Sequence, residues 1–189
     1  MADHTPAGRR VLAMVTNYGV EQDELIVPVE HLRAAGAEVD VAAVTTDPVQ
    51  TLVGDKDPGR TVPVTLALSD VDPASYDLLL IPGGTVNADS LRLQPKAVET
   101  VRAFASTGRP VAAICHGPWL VVEAGVAEGK TLTSYASVAT DIRNAGGTWV
   151  DKPVFNCGAN GWPLITSRTP DDLKQFLAET DAVLAGVAS

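Results

Sequence analysis

The two residues best suited to covalent chemistry stand side by side. Cys115 and His116 follow the apolar run Pro110-Val-Ala-Ala-Ile114 with no spacer, and Gly117-Pro118 opens the next segment at once. A strand that turns directly into a helix holds the corner residue in a tight, strained conformation and pushes its side chain off the sheet edge. The helix then points backbone N–H groups at the sulfur, which favours thiolate and lowers the thiol pKa. Thiolate is the attacking form, so this placement predicts Cys115 as an activated nucleophile. A lone cysteine is more often a buried packing residue. That bland reading suits Cys157, in the turn-rich stretch Asn156-Cys-Gly-Ala-Asn-Gly161.

His116 ordinarily titrates at about 6.5, which suits general acid–base work. Its ring need not face the sulfur beside it, but its backbone N–H is the usual first donor of an oxyanion hole. Gly83-Gly84 ends another apolar run. Glycine permits close backbone approach there, and one of these N–H groups is the natural second donor. Glu21, in Glu21-Gln-Asp-Glu24, reads from its neighbours as part of a solvated cluster at a helix start. His31 faces away from the Leu25/Val29/Leu32 stripe and reads as a surface residue; His4 falls in the N-terminal stretch. Three histidines and two cysteines so dispersed do not suggest a tetrahedral zinc site, and neither metal nor cofactor is expected.

The elements that must position these residues alternate. Short apolar runs without polar alternation (Val11–Val15, Val39–Val44, Asp77–Ile81, Pro110–Ile114) read as strands buried on both faces. Helical spacing predicts helices over Glu24–Ala35, Pro95–Thr107 and Pro118–Ala124, with another around Val138, Ile142 and Ala145. Thr16-Asn-Tyr-Gly19 reads as a polar turn, and Asp47 to Pro63 as loops with a small hairpin ending in Val62-Pro-Val-Thr-Leu66. Brief strands are expected at Leu132, Trp149-Val150, Val154-Phe155 and Leu164-Ile165. The last helix is expected to start with Thr169 as N-cap and Pro170 in first position, burying Leu173, Phe176, Leu177, Leu184 and Val187. Strand–helix alternation implies an α/β fold, a mostly parallel central sheet with helices on both faces. Ligands of such sheets lie beyond the carboxyl ends of the strands, where the loop after Val15, Gly83-Gly84 and Cys115 all fall.

The chain of 189 residues fits one domain, read as 11–189 after a flexible N-terminus of residues 1–10. Lys and Arg number 14 against 23 Asp and Glu, and this acidic balance argues against nucleic acid or an anionic membrane as partner. No apolar run approaches the ~18 residues of a membrane span, and the N-terminus lacks the apolar core of a secretory signal. Two cysteines are too few for a disulfide framework, so a reduced, cytoplasmic setting is expected.

Ala113-Ile-Cys-His-Gly-Pro118, together with Leu80-Ile-Pro-Gly-Gly84, Glu21-Gln-Asp-Glu-Leu-Ile-Val-Pro28, Leu132-Thr-Ser-Tyr135 and Asp141-Ile-Arg-Asn-Ala-Gly-Gly-Thr-Trp-Val-Asp151, resembles the ThiJ/PfpI superfamily, in particular its intracellular protease PfpI branch. The likeness runs from about Val11 to about Leu177. It implies a flavodoxin-like three-layer sandwich, a homodimer or larger homo-oligomer, and Cys115 as nucleophile. It implies that Glu21 hydrogen-bonds Cys115 and shuttles a proton. It further implies that Asp89 reaches across a subunit interface to His116, and that Tyr135 lines the pocket with Gly83. Trp119 either walls that pocket or packs, with packing favoured. Asn156–Pro163 departs from the short Asp-Gly turn common at that place. Class I glutamine amidotransferases share the corner but need a late histidine, and none follows His116.

The resemblance implies an enzyme acting on small reactive carbonyls, of glutathione-independent glyoxalase or deglycase type, converting methylglyoxal to lactate. The backbone N–H groups of Gly84 and His116 would hold the oxyanion. Two alternatives use the same corner: a cysteine peptidase of PfpI type acting on peptides, and a non-enzymatic redox-sensing or chaperone-like stress protein, since an accessible low-pKa thiol oxidises readily.

Overall fold

The computed structural model describes residues 6–186, so His4 and Val187 lie outside the described residues. In chain order the elements are β1 (Arg10–Met14), β2 (Tyr18–Glu21), α1 (Gln22–Ala34), β3 (Glu38–Ala43), β4 (Val49–Val53), β5 (Asp57–Val62), β6 (Leu66–Ala67), β7 (Leu78–Ile81), α2 (Thr85–Leu91), α3 (Pro95–Ser106) and β8 (Val111–Ile114). Then come α4 (Pro118–Glu123), β9 (Thr131–Leu132), α5 (Ala139–Asn144), β10 (Thr148–Trp149), β11 (Val154–Cys157), β12 (Leu164–Ser167) and α6 (Leu173–Gly186).

Seven strands form one sheet in the order β11-β12-β8-β7-β1-β3-β6. Every neighbouring pair is parallel except β11 with β12. Successive strand side chains point to opposite faces, so each strand feeds two cores. Val11, Ala13 and Val15 join Leu25 and Leu32 of α1 and Phe176 of α6. Leu12 and Met14 join Phe104 of α3, Leu120 of α4 and Ile142 of α5. This is the α/β sandwich the alternation implies, and burial on both faces explains why its strands lack a polar side. No helix among the described residues is long and apolar enough to cross a membrane.

Three local expectations are corrected. The polar turn Thr16-Asn-Tyr-Gly19 runs into a strand, β2, which pairs in parallel with β4. That partner lies some thirty residues on, and the turn itself carries no sign of it. The small hairpin is built from β4 and β5, with Gly54 and Asp55 both at positive φ (64° and 57°) near its tip. Leu66 and Ala67 leave it to pair with β3 at the edge of the main sheet. Lastly, Thr169 has extended backbone (φ −153°, ψ 170°) but makes no capping bond, and a single 3-10 turn, Pro170–Asp172, precedes α6. The Asp172 N–H donates instead to the Thr169 backbone carbonyl at 3.0 Å, and its carboxylate accepts from the Arg168 guanidinium at 2.8 and 3.0 Å, a charge-assisted fork.

Candidate active site

Strand order reverses about β1, whose neighbours are β3 and β7, and the carboxyl ends of β7 and β8 open beside this point. Asn87 of α2 fastens the loops there. Its Oδ1 accepts the Thr16 N–H at 2.7 Å and its Nδ2 donates to the Gly83 carbonyl at 2.9 Å. At the end of β8, Cys115 has φ 62°, a left-handed conformation costly for any side chain but glycine. Its N–H donates to the Ser167 carbonyl at 3.0 Å and its carbonyl accepts the Tyr135 N–H at 2.8 Å. Gly117 lets the chain turn at once: a Cβ there would meet the Ile81 carbonyl oxygen at 2.5 Å.

The carboxyl beside the thiol belongs to Glu24. This side chain, in the first turn of α1, is fully buried. Its Oε2 accepts the Gly83 N–H at 2.7 Å, its Oε1 is buried without a hydrogen-bond partner, and the carboxyl sits against the Cys115 thiol. Burial pushes Glu24 up to about 8, so it keeps its proton at neutral pH. Glu21, expected in this role, ends β2 outside the helix. Its two carboxylate oxygens accept the N–H groups of Gly54 and Asp55, each at 3.1 Å, so it props the hairpin tip and does not reach the sulfur.

The expected lowering of the Cys115 pKa is also corrected. Burial pushes the thiol up, while the backbone N–H groups of His116 and Gly84 pull it back. The His116 ring does face the sulfur, with Nδ1 3.2 Å from Sγ. Burial lowers the His116 pKa against the opposing pull of Asp55. The His116 ring is thus placed to exchange a proton with the thiol.

The N–H groups of Gly84 and His116 are thus directed at the reacting sulfur. Gly83 is spent on Glu24. A Cβ at Gly83 would fall 2.5 Å from Glu24 Oε2 and 2.8 Å from Cys115 Cβ, and one at Gly84 (φ 81°) 2.4 Å from the Gly19 carbonyl oxygen. Both glycines are demanded by close approach.

A cavity of about 490 Å³ opens over Cys115, lined by Glu21, Glu24, Gly54, Asp55, Thr85, His116, Tyr135, Ser137, Thr169 and Pro170. Tyr135 stacks on the His116 ring, centroids 4.6 Å apart, and is 42 % exposed at the mouth. Trp119 packs: its Nε1 donates to Asp141 at 2.8 Å, and it is not among the lining residues. Asp89 is exposed on α2 and is likewise not among those residues. Cys157 lies apart from this cavity, its sulfur accepting the Thr131 N–H at 3.3 Å. Its loop is gathered by the buried Lys130 ammonium, which donates to the carbonyls of Cys157 (3.3 Å), Trp162 (2.5 Å) and Ala159.

Sequence reasoning missed Glu24, Asp55, Thr85 and Ser137. For Glu24 a signal existed. Counting back along α1 in steps of four from the buried Leu32 gives Pro28, then Glu24, so the carboxyl lies on a buried face. Asp55, Thr85 and Ser137 come from a hairpin, a short helix and a 3-10 turn, and have no common spacing.

Comparisons with known proteins place the whole chain. The model of the DJ-1/PfpI family matches residues 9–181. General stress protein 18 of Bacillus subtilis is 38% identical over 173 residues, covering 92% of this chain and 96% of its own. Deglycase PfpI of Pyrococcus furiosus is 38% identical over 159 residues, covering 84% and 90%. The crystal structure of Drosophila melanogaster DJ-1beta superposes with a TM-score of 0.82 at 30% identity, covering 94% of this chain and 91% of that one. By matched length, by identity and by the corner that carries Cys115, the chain belongs to the DJ-1/PfpI family.

Proposed function

We propose that the protein is a cysteine-dependent enzyme acting on small reactive carbonyls, converting methylglyoxal to lactate. The observation that carries this reading is the placement of the buried Glu24 carboxyl and the His116 ring, its Nδ1 3.2 Å from Sγ, against the Cys115 thiol. The cavity suits a small molecule. Its described lining brings the acidic side chains of Glu21 and Asp55 and no Lys or Arg, which favours an uncharged carbonyl over an anionic one. The relative named a deglycase supports the same class of chemistry.

Cys115 gives its proton to His116 Nδ1 as sulfur adds to the aldehyde carbon. The oxygen gathers charge beside the Gly84 and His116 N–H groups and takes the proton back, leaving a hemithioacetal. His116 then removes the C1 proton and returns it to C2. Glu24 gives its proton to the C2 oxygen and recovers one from the C1 hydroxyl. The two carbons exchange oxidation level, so no outside oxidant or reductant is needed, and water splits the resulting thioester to lactate and free thiol. Aldehyde addition expels no leaving group, so a third catalytic acid is not required.

The test is methylglyoxal consumption with lactate followed by proton NMR, wild type against Cys115→Ser. Lactate from wild type alone supports the reading. Equal consumption by both proteins, or no lactate from wild type, overturns it.

A further inference from the structure

His116 has one ring nitrogen toward the nucleophile and the other toward two hydroxyls. Nε2 lies 3.2 Å from Ser137 Oγ and 3.5 Å from Thr85 Oγ1. The Thr85 hydroxyl is already committed: it donates to Asp55 Oδ2 at 2.7 Å, and the Thr85 N–H donates to Asp55 Oδ1 at 2.8 Å. Asp55 in turn stands in a left-handed conformation (φ 57°) with its own N–H held by Glu21.

We infer that Asp55, acting through Thr85, is a positioning residue that fixes the tautomer of His116, leaving Nδ1 as the lone-pair nitrogen facing Cys115. A hydroxyl carries one proton. Once Thr85 spends it on a carboxylate, only its own lone pairs remain to face the imidazole, and the Ser137 hydroxyl at 3.2 Å can accept from the same ring N–H. A lone pair on Nε2 would be repelled, so the ring proton sits on Nε2 and Nδ1 accepts from sulfur. A carboxylate bearing on the histidine is thus present within one chain, at a hairpin tip. The ionisable groups facing the ring are Cys115, Tyr135, Glu24 through the thiol, and Asp55 through Thr85. Of these, only Asp55 acts on the Nε2 side.

The inference rests on the reading of Cys115 as nucleophile, but its test needs no carbonyl substrate. Iodoacetamide alkylation of Cys115 is followed against pH in wild type, Thr85→Val, Thr85→Ser and Asp55→Asn, with Cys157→Ala as common background. The His116 tautomer is read from ring nitrogen-15 shifts. The expected result is an Nε2–H ring in wild type. Thr85→Val and Asp55→Asn should alkylate about tenfold more slowly, the worth of one hydrogen bond to a charged group, with a mixed tautomer. Thr85→Ser, which keeps the hydroxyl, should restore both. Circular dichroism checks folding, and if Thr85→Val fails to fold, the near-isosteric Asp55→Asn decides. Wild-type rates, pH profile and tautomer in both variants overturn the inference even if methylglyoxal is turned over. Slow alkylation in a protein that makes no lactate sinks the proposed reaction and leaves this inference standing.

Discussion

Glu24 and Cys115 are 91 positions apart in the chain, yet the carboxyl rests against the thiol, and the Gly83 N–H holds it there at 2.7 Å. The contact joins the first turn of α1 to the corner after β8, so the geometry of the site depends on how α1 packs against this face of the sheet.

Glu24 makes stability depend on pH in a stated direction. Folding raises it from 4.5 to about 8, so between these values the folded protein binds a proton that the unfolded chain does not. Raising pH across that window therefore favours unfolding, by up to about 1.4 kcal/mol per pH unit. Urea denaturation at pH 5 and pH 7 should show this loss in wild type and not in Glu24→Gln. The two proteins share every other titrating group, so a parallel decline in both would assign the effect elsewhere.

Lys130 is expected to hold the Cys157–Trp162 loop rather than to serve the reaction. In Lys130→Met three carbonyls lose their donor, at a cost of about 1–3 kcal/mol. The melting temperature should fall by about 2–4 °C for each kcal/mol lost. Cys115 alkylation should be unaffected. A variant as stable as wild type would show that the ammonium contributes nothing net.

Mild peroxide should modify one cysteine and not the other. Cys115 faces the cavity, whereas the Cys157 sulfur is engaged by the Thr131 N–H away from it. Intact-mass spectrometry should show one or two added oxygens in wild type and none in Cys115→Ser. Oxygen retained by the variant would place the sensitive thiol at Cys157.

The elements legible in the sequence were those with a local signature. Val11–Val15 and Pro110–Ile114 announce buried parallel strands by unbroken apolarity, and Cys115 is exposed as a corner residue because strand and helix leave it no spacer. The site's polar partners were less legible. Glu21 and Glu24 are three residues apart and chemically alike, and what separates them is which side of the helix boundary each falls on. β2 could not be read because its partner is distant, and Asp55 depends on a hairpin tip whose distance from Thr85 no spacing encodes. The thiol's environment is hard to read for another reason: the N–H groups at the corner are a local feature, whereas the desolvation that opposes them comes from the whole surrounding packing.

The sheet of β2, β4 and β5 has a consequence for how this enzyme can diversify. Cys115 and His116 sit on the main scaffold, where a Cβ added at Gly83, Gly84 or Gly117 collides with neighbouring atoms. Asp55 arrives on a separate, solvent-facing ribbon near a tip free of such crowding: a Cβ on Gly54 meets nothing within 4 Å. A change at the ribbon's end can therefore reshape the wall of the cavity over Cys115 without crowding the sheet that carries the thiol.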